Sequence, residues 1–362
     1  MNQTAKRTLK RIGIGAACAL LALLLVASAY LSYVLIAYYR IGDKETAIEA
    51  GGSGKVTVQT EYSFITWNIG FAAYSRDFSF FMDGGKESRA YSKSEVYKNL
   101  DGMLSRLLTE DSDFLFLQEV DTDATRSYHV NQREYIAAKF PAYSKSFAEN
   151  YDSPYLFYPF TSPHGKSKAG LLTLSKKEIL SAKRVELPVE EGFMKFLDLD
   201  RCYHKMALPV ENGKTLYLYN LHLSAYTSDG SIATEQLRLL LADMYSEYQN
   251  GNYVLAGGDF NKDLLGENTN ICGEGENTWA QPFPTALLPS GLSLKAGGRD
   301  VHSCRNCDIG YEEGVTFEVT VDGFIVSDNI TVDACQTLNE GFMHSDHNPV
   351  KLTFSLKSEA AA

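Results

Sequence analysis

The sequence predicts a layered α/β sandwich behind a single N-terminal membrane helix. Three observations predict it: an uncharged run from Ile12 to Tyr39, an alternation of short β-branched or aromatic segments with longer amphipathic ones from about Glu61 onward, and the lack of any repeat or low-complexity tract in that second region. At 362 residues with 44% hydrophobic content, the chain suffices for one large domain plus an appendage.

The uncharged run exceeds the ~20 residues that cross a bilayer. Lys6, Arg7, Lys10 and Arg11 precede it, Arg40 follows it, and residues 1–40 hold no Asp or Glu. The basic cluster predicts a cytoplasmic N-terminus and an extracytoplasmic remainder. Ala27-Ser28-Ala29 has the small-x-small form of a signal-peptidase site, but the apolar run continues beyond it to Tyr39, which favours an uncleaved anchor. With those five basic residues set aside, 29 Lys and Arg face 45 Asp and Glu, a formal charge of −16. Such a surface repels polyanions on average and weighs against tight duplex-DNA binding. The organisation is therefore a basic tail (1–11), a signal anchor (12–39), a linker (40–60) containing Gly51-Gly52-Ser53-Gly54, and a catalytic domain (61–357).

Within the domain, strands are predicted at Phe64–Trp67, Phe114–Leu117, Leu171–Leu174, Leu216–Leu223, Tyr253–Ala256 and Gly323–Val326, several apolar on both faces and hence central. Ser92-x-x-Glu95 is a capping box ahead of Val96, Leu100, Met103, Leu104, Leu107 and Leu108 at helical spacing. A second helix is expected over Ile232–Tyr248, with Leu237, Leu240, Leu241, Met244 and Tyr248 inward and a stop near Gly251. Five cysteines follow the membrane run: Cys202, Cys272, Cys304, Cys307 and Cys335. Cys304-x-x-Cys307 lacks a second CxxC or a His pair at zinc spacing, so a local disulfide or buried thiols are expected rather than zinc.

The polar residues at strand ends carry the functional signal. Asn68 follows Phe64–Trp67, Glu119 follows Phe114–Gln118, and Asp259 and Asn261 follow Val254–Ala256 after two glycines; layered α/β folds gather ligand groups at such C-terminal ends. A carboxylate after so apolar a strand is costly to bury unpaired. A hard cation is its natural partner, and Mg²⁺ accepts one Glu with an Asn amide and waters. His222 shares a face with Asn220 and Ser224, opposite Leu221 and Leu223, and reads equally well as a core histidine. Near the C-terminus stand Val321-Asp322-Gly323-Phe324 and His344-Ser345-Asp346-His347-Asn348-Pro349, ahead of a last strand over Val350–Phe354. A His oriented by a carboxylate deprotonates water near neutral pH. Asp322 can orient His347 in this way, which leaves Asp346 for a metal or a leaving-group oxygen.

Six segments in order, Thr66-Trp67-Asn68, Leu117-Gln118-Glu119, Asn220-Leu221-His222-Leu223, Gly258-Asp259-Phe260-Asn261, Val321–Phe324 and Ser345-Asp346-His347, together resemble the endonuclease/exonuclease/phosphatase superfamily. That superfamily includes pancreatic deoxyribonuclease, neutral sphingomyelinases and inositol polyphosphate 5-phosphatases, and the resemblance spans about Glu61 to Ser355. It implies a four-layer α-β-β-α sandwich of two mixed sheets with the site at one rim. It also implies metal ligation by Glu119 with Asn68 and Asp346, positioning of nucleophile and phosphoryl oxygen by Asp259 and Asn261, a phosphate hydrogen bond from His222, and an Asp322–His347 base pair. The reaction implied is in-line attack of water on phosphorus with Mg²⁺, for which Mn²⁺ can substitute.

The substrate is left open among lipid headgroups, phosphorylated small molecules and, less favoured by charge, nucleic acid. A secreted nuclease and a non-catalytic module that binds a phosphorylated ligand are the alternatives. Tyr74–Tyr91 reads as an insertion that covers the site or as a solvated loop. Tyr151–Lys168, with Tyr155, Leu156, Phe157, Tyr158 and Phe160 ahead of His164, Lys166 and Lys168, reads as a strand with its exit loop or as an interfacial aromatic cluster. Arg201 and Lys205 are further candidates for phosphate binding.

Overall fold

Two seven-stranded mixed sheets are built from elements scattered along the whole chain. The computed structural model describes residues 3–189, 199–225, 231–266 and 279–358; Cys272 lies outside them. In chain order the elements are α1 (Gln3–Ala37), β1 (Lys44–Glu45), β2 (Ile48–Glu49), β3 (Glu61–Asn68), α2 (Lys93–Glu110), β4 (Phe114–Ala124), α3 (Gln132–Ala137), β5 (Ser144–Asp152), β6 (Ser167–Ser175), β7 (Ser181–Glu186), β8 (Cys202–Pro209), β9 (Thr215–His222), α4 (Ser231–Gln249), β10 (Tyr253–Asp259), β11 (Leu292–Ala296), β12 (Cys304–Arg305), β13 (Glu318–Val319), β14 (Asp322–Ser327), β15 (Ile330–Thr337) and β16 (Val350–Leu356).

One sheet runs β15-β16-β3-β4-β6-β5-β2 and the other β1-β7-β8-β9-β10-β14-β11, with β12 and β13 forming a separate pair. Only β3–β4 and β9–β10 are parallel within the two large sheets, and both are strand pairs whose C-terminal ends carry polar residues. Phe64, Phe114, Phe116, Leu218, Leu255, Phe324 and Leu352 fill the space between the sheets. Val96, Leu100, Met103, Leu104 and Leu107 of α2 cover the outer face of the first sheet, and Leu237, Leu240, Leu241 and Met244 of α4 cover that of the second. The four-layer α-β-β-α order follows. Ser92 Oγ accepts from Glu95 N at 3.1 Å, so the capping box starts α2 where the sequence places it.

The predicted linker at 40–60 is corrected by the structure. Lys44–Glu45 pairs with β7 and Ile48–Glu49 with β5, adding one edge strand to each sheet, and Val56 is fully buried. Edge strands this short are held by backbone bonds and need no apolar periodicity. The glycines beside them act by absence of a side chain: a Cβ on Gly51 or Gly52 would lie 2.3 Å from the carbonyl oxygen of Tyr143 or Ser175. The run therefore threads between carbonyls instead of flexing.

α1 is 35 residues of high mean hydropathy and long enough to cross a membrane, a property that signal sequences share. Of the Tyr151–Lys168 segment, read as a strand with its exit loop or as an aromatic cluster, the aromatics at 155–160 lie in the loop between β5, which ends at Asp152, and β6, which begins at Ser167.

Phe64 packs edge-on against Phe116 at 4.4 Å and Phe324 at 5.4 Å across the inter-sheet core. Phe64→Ala should lower unfolding stability by about 3–5 kcal/mol, measured by denaturant titration of the purified protein.

Candidate active site

The two parallel pairs end on the same rim, and register decides which side chains meet there. Asp259 is aligned with His222 on β9 and with Asp322 on β14, so three polar residues from three distant segments stand in one row. Asp259 Oδ2 lies 3.5 Å from His222 Nε2 and 3.8 Å from His347 Nε2. Asp322 Oδ2 lies 2.7 Å from His347 Nδ1, and both groups are buried.

The loop carrying His347 is clamped to β3. Trp67 Nε1 donates to the His347 carbonyl at 2.8 Å, Ser345 Oγ donates to the Asn68 carbonyl at 2.8 Å, and His347 N donates to Ser345 Oγ at 3.1 Å. Asn68 then joins the two sheets: its Nδ2 donates to Glu119 Oε1 at 3.2 Å and to Asp259 Oδ2 at 3.1 Å, and its Oδ1 accepts from Gly70 N at 3.0 Å. Gly70 has φ +50, and a Cβ there would meet Asp346 Oδ1 at 2.7 Å, so only glycine fits.

Glu119 is not at a strand end, contrary to the sequence reading. β4 runs on to Ala124 past an irregularity between Leu117 and Val120, with Glu119 at φ +56. The bulge turns Glu119 toward the cleft while the strand continues. Asn261, at φ +48, is held by its N–H to Asp259 Oδ1 at 2.8 Å and its Nδ2 to the Leu223 carbonyl at 2.8 Å. All eight predicted site residues except Asp322 line one cleft of about 430 Å³; Asp322 sits behind His347.

Burial raises the Glu119 pKa, opposed by Arg126 and reinforced by Asp346. Burial and then Asp322 raise that of Asp259. His222 is driven well below its ordinary value by burial, Arg201 and His347, so its imidazole is neutral. Burial pulls His347 down as well, but Asp322, Cys304 and Asp346 together outweigh it and raise the ring well above its ordinary value. Asp322 Oδ1 is buried with no hydrogen-bond partner among the described residues.

Carboxylates crowded into one cleft and pushed toward protonation fit a site built for a cation. Asp259, Asp322 and His347 place one ligand atom each within 4.8 Å of one another, a spacing that could hold a metal ion. Glu119 and Asp346 supply oxygen donors beside them, the donor type that Mg²⁺ takes, while Asn68 faces the carboxylates with its Nδ2 and keeps its Oδ1 on Gly70 N.

Other groups also line the cleft, and of these Arg126 carried no local signal in the sequence. Arg126 pairs with buried Asp121 through two bonds at 2.8 and 3.2 Å, lies 3.9 Å over the Phe71 ring and acts on Glu119. Cys304 and Cys307, described as free thiols, reach His347 Nε2 at 3.5 Å and Asp346 Oδ2 at 3.6 Å. The CxxC spacing was visible in sequence, whereas the bridge that aligns Cys304 with His347 was not. Tyr74, Phe80, Met82 and Asp83 line the cleft, so the 74–91 insertion forms part of its wall. Arg201 also lines it and donates to the Leu223 carbonyl at 2.9 Å. Lys205 does not: Asp243 and Glu247 hold it, each at 2.7 Å.

The fold and this rim define a two-sheet sandwich whose cleft sets a buried Asp–His pair beside a candidate cation site. Residues 65–347 match the Endonuclease/Exonuclease/phosphatase family, and the chain belongs to that family. Among solved structures, an endonuclease/exonuclease/phosphatase from Beutenbergia cavernae is 17% identical with a TM-score of 0.60, over 84% of this chain and 74% of that one. ANGEL2, a 2′,3′-cyclic phosphatase, is 17% identical with a TM-score of 0.53 over 87% and 99%. The human Nocturnin catalytic domain is 15% identical with a TM-score of 0.52 over 86% and 97%. At these identities the likeness is one of fold. No curated protein sequence matches the chain.

Because Asp322 keeps His347 charged, that contribution to stability is complete below about pH 6.5 and is lost as pH rises through the raised folded value. In metal-free protein, Asp322→Asn should lower the His347 pKa, as followed by imidazole NMR. An unchanged titration would contradict the pairing.

Proposed function

We propose that the protein is a membrane-anchored, Mg²⁺-dependent phosphoester hydrolase whose catalytic domain lies outside the cytosol. The observation that carries the reading is the buried Asp322–His347 pair at 2.7 Å with the far ring nitrogen facing Asp259, beside a carboxylate that Asn68 bridges to the same aspartate. Family membership supports a phosphoester hydrolase. Lys6, Arg7, Lys10 and Arg11 ahead of α1 support a cytoplasmic N-terminus.

Glu119 and Asp346 would hold the metal, with Asn68 supporting Glu119 through its Nδ2, because the nitrogen and oxygen that join His347 to Asp322 already satisfy each other. Bound there, a divalent cation supplies charge neutralisation at phosphoryl oxygens and offsets the negative field that keeps His347 protonated. His347 Nε2 takes the proton of the attacking water, and Asp322 stabilises the imidazolium that results. His222, neutral by burial, donates a hydrogen bond to a phosphoryl oxygen as negative charge develops. Asp259 and Asn261 orient the water and the substrate.

Full-length protein in detergent should hydrolyse an aryl phosphodiester or monoester with Mg²⁺ or Mn²⁺ and lose that activity in EDTA. Glu119→Ala and His347→Ala should each lower kcat by at least about 100-fold with circular dichroism unchanged. Turnover indifferent to EDTA, or to both substitutions, would refute the proposal.

A further inference from the structure

The aromatic loop between β5 and β6 is fastened to the membrane helix. Tyr30 Oη donates to the Tyr155 carbonyl at 3.1 Å and accepts from Phe157 N at 3.2 Å, and Tyr33 Oη accepts from Tyr155 N at 3.0 Å. Tyr39 Oη adds a bond to Asp152 Oδ2 at 3.1 Å, at the end of β5. The Tyr30 and Phe157 rings meet edge-on at 6.1 Å. From Ile12, the first residue after Arg11, to Ala29 the helix is 18 residues, about 27 Å at ~1.5 Å per residue against a hydrocarbon core of ~30 Å. Tyr30 and Tyr33 therefore fall at the outer lipid–water boundary, where tyrosine concentrates, and the loop bonded to them falls there too.

The loop turns apolar surface outward at that level: Phe157, Tyr158 and Phe160 are 54%, 61% and 78% exposed. It also reaches the cleft. Tyr158 packs on Phe81 at 5.8 Å, Phe81 packs on Phe80 and on His164 at 4.9 and 6.0 Å, and Phe80 and His164 line the cleft wall. A soluble domain gains nothing from three adjacent bare aromatics, whereas a bilayer surface beside the anchor covers them.

We propose that the Tyr155–Phe160 loop docks in the lipid interface beside α1 and presents the cleft to phosphate esters of lipids embedded in the same membrane. The substrate-class half rests on the hydrolase reading above and on α1 remaining uncleaved; the docking half rests on α1 alone. Residues 155–160 themselves do not line the cleft, so they act by positioning.

The experiment uses the full chain reconstituted in phosphatidylcholine vesicles. A Phe160→Trp variant, compared with the unsubstituted protein, should add blue-shifted fluorescence that brominated lipids quench; added emission that is solvent-like and unquenched overturns the docking. In parallel, Phe157→Ser/Phe160→Ser should lower turnover of a phosphorylated lipid in the vesicles at least 10-fold while turnover of a water-soluble aryl phosphoester stays within 2-fold. Equal effects on the two substrates, or none, overturn delivery to membrane lipid. If the unsubstituted protein hydrolyses neither substrate with Mg²⁺ or Mn²⁺, the hydrolase reading fails and the lipid-substrate half falls with it, while the quenching result still decides the docking.

Discussion

The hydrogen bonds made by Asn68 are the constraint on which the rest of the rim depends. One amide nitrogen reaches a carboxylate on its own sheet, Glu119, and one on the facing sheet, Asp259. Two sheets packed through apolar side chains can slide at modest cost, because hydrophobic contact has no direction. A buried amide shared by two carboxylates does have direction, and leaving either unpaired is costly. Asn68 thereby fixes the relative height of the two strand ends, and its own backbone carbonyl, through Ser345, fixes the loop that brings His347 over Asp322. Behind it, Gln118 donates across the sheets to Asn220 Oδ1 at 2.8 Å and within its own sheet to Thr66 Oγ1 at 3.1 Å, which continues the same register lock into the core.

Charge sets the second constraint. Glu119, Asp259, Asp322 and Asp346 crowd a space in which Arg126 is the guanidinium that acts on Glu119, and that cation is already committed to Asp121. Protein alone therefore balances the cleft poorly: Glu119 and Asp259 are pushed toward protonation and His347 toward the charged form. In the proposed base role His347 must be neutral to accept a proton, whereas the surrounding carboxylates favour its charged form. One positive charge placed among the carboxylates corrects all three groups in the required direction. This coupling explains why a His–Asp pair and surplus carboxylates occur together, which neither group explains alone.

The sequence showed the strands and helices well because apolar runs and capping residues act locally. Phe64–Trp67, Phe114–Leu117 and Tyr253–Ala256 all fall inside observed strands, and Ser92 caps α2. It showed the polar residues at the strand ends individually, but not that Asp259 stands beside both His222 and Asp322, which is a matter of strand order and register. Glu119 was placed at a strand end because the apolar run stops there; the bulge that lets β4 continue is a backbone event with no side-chain signature. Arg126 and the two cysteines were missed as cleft residues for a similar reason, since each is brought to the rim by a partner far away in the chain or by a turn without periodicity.

The reading of residues 40–60 failed in an instructive direction. Glycine and serine without apolar periodicity suggest slack, yet here Gly51 and Gly52 pass against carbonyls, and two flanking dipeptides extend both sheets. Arg40, just beyond the helix, donates to Glu186 at 3.1 Å and to the Leu187 carbonyl at 2.9 Å. A tether of twenty flexible residues would let the domain tumble at the membrane and sample every orientation of its cleft. A chain that leaves the helix and is paired within a few residues permits few orientations, so the rim bearing His347 keeps a defined height and tilt relative to the end of α1. With α1 as the proposed anchor, ordering the domain at a membrane surface would cost little further entropy, because folding has already fixed it.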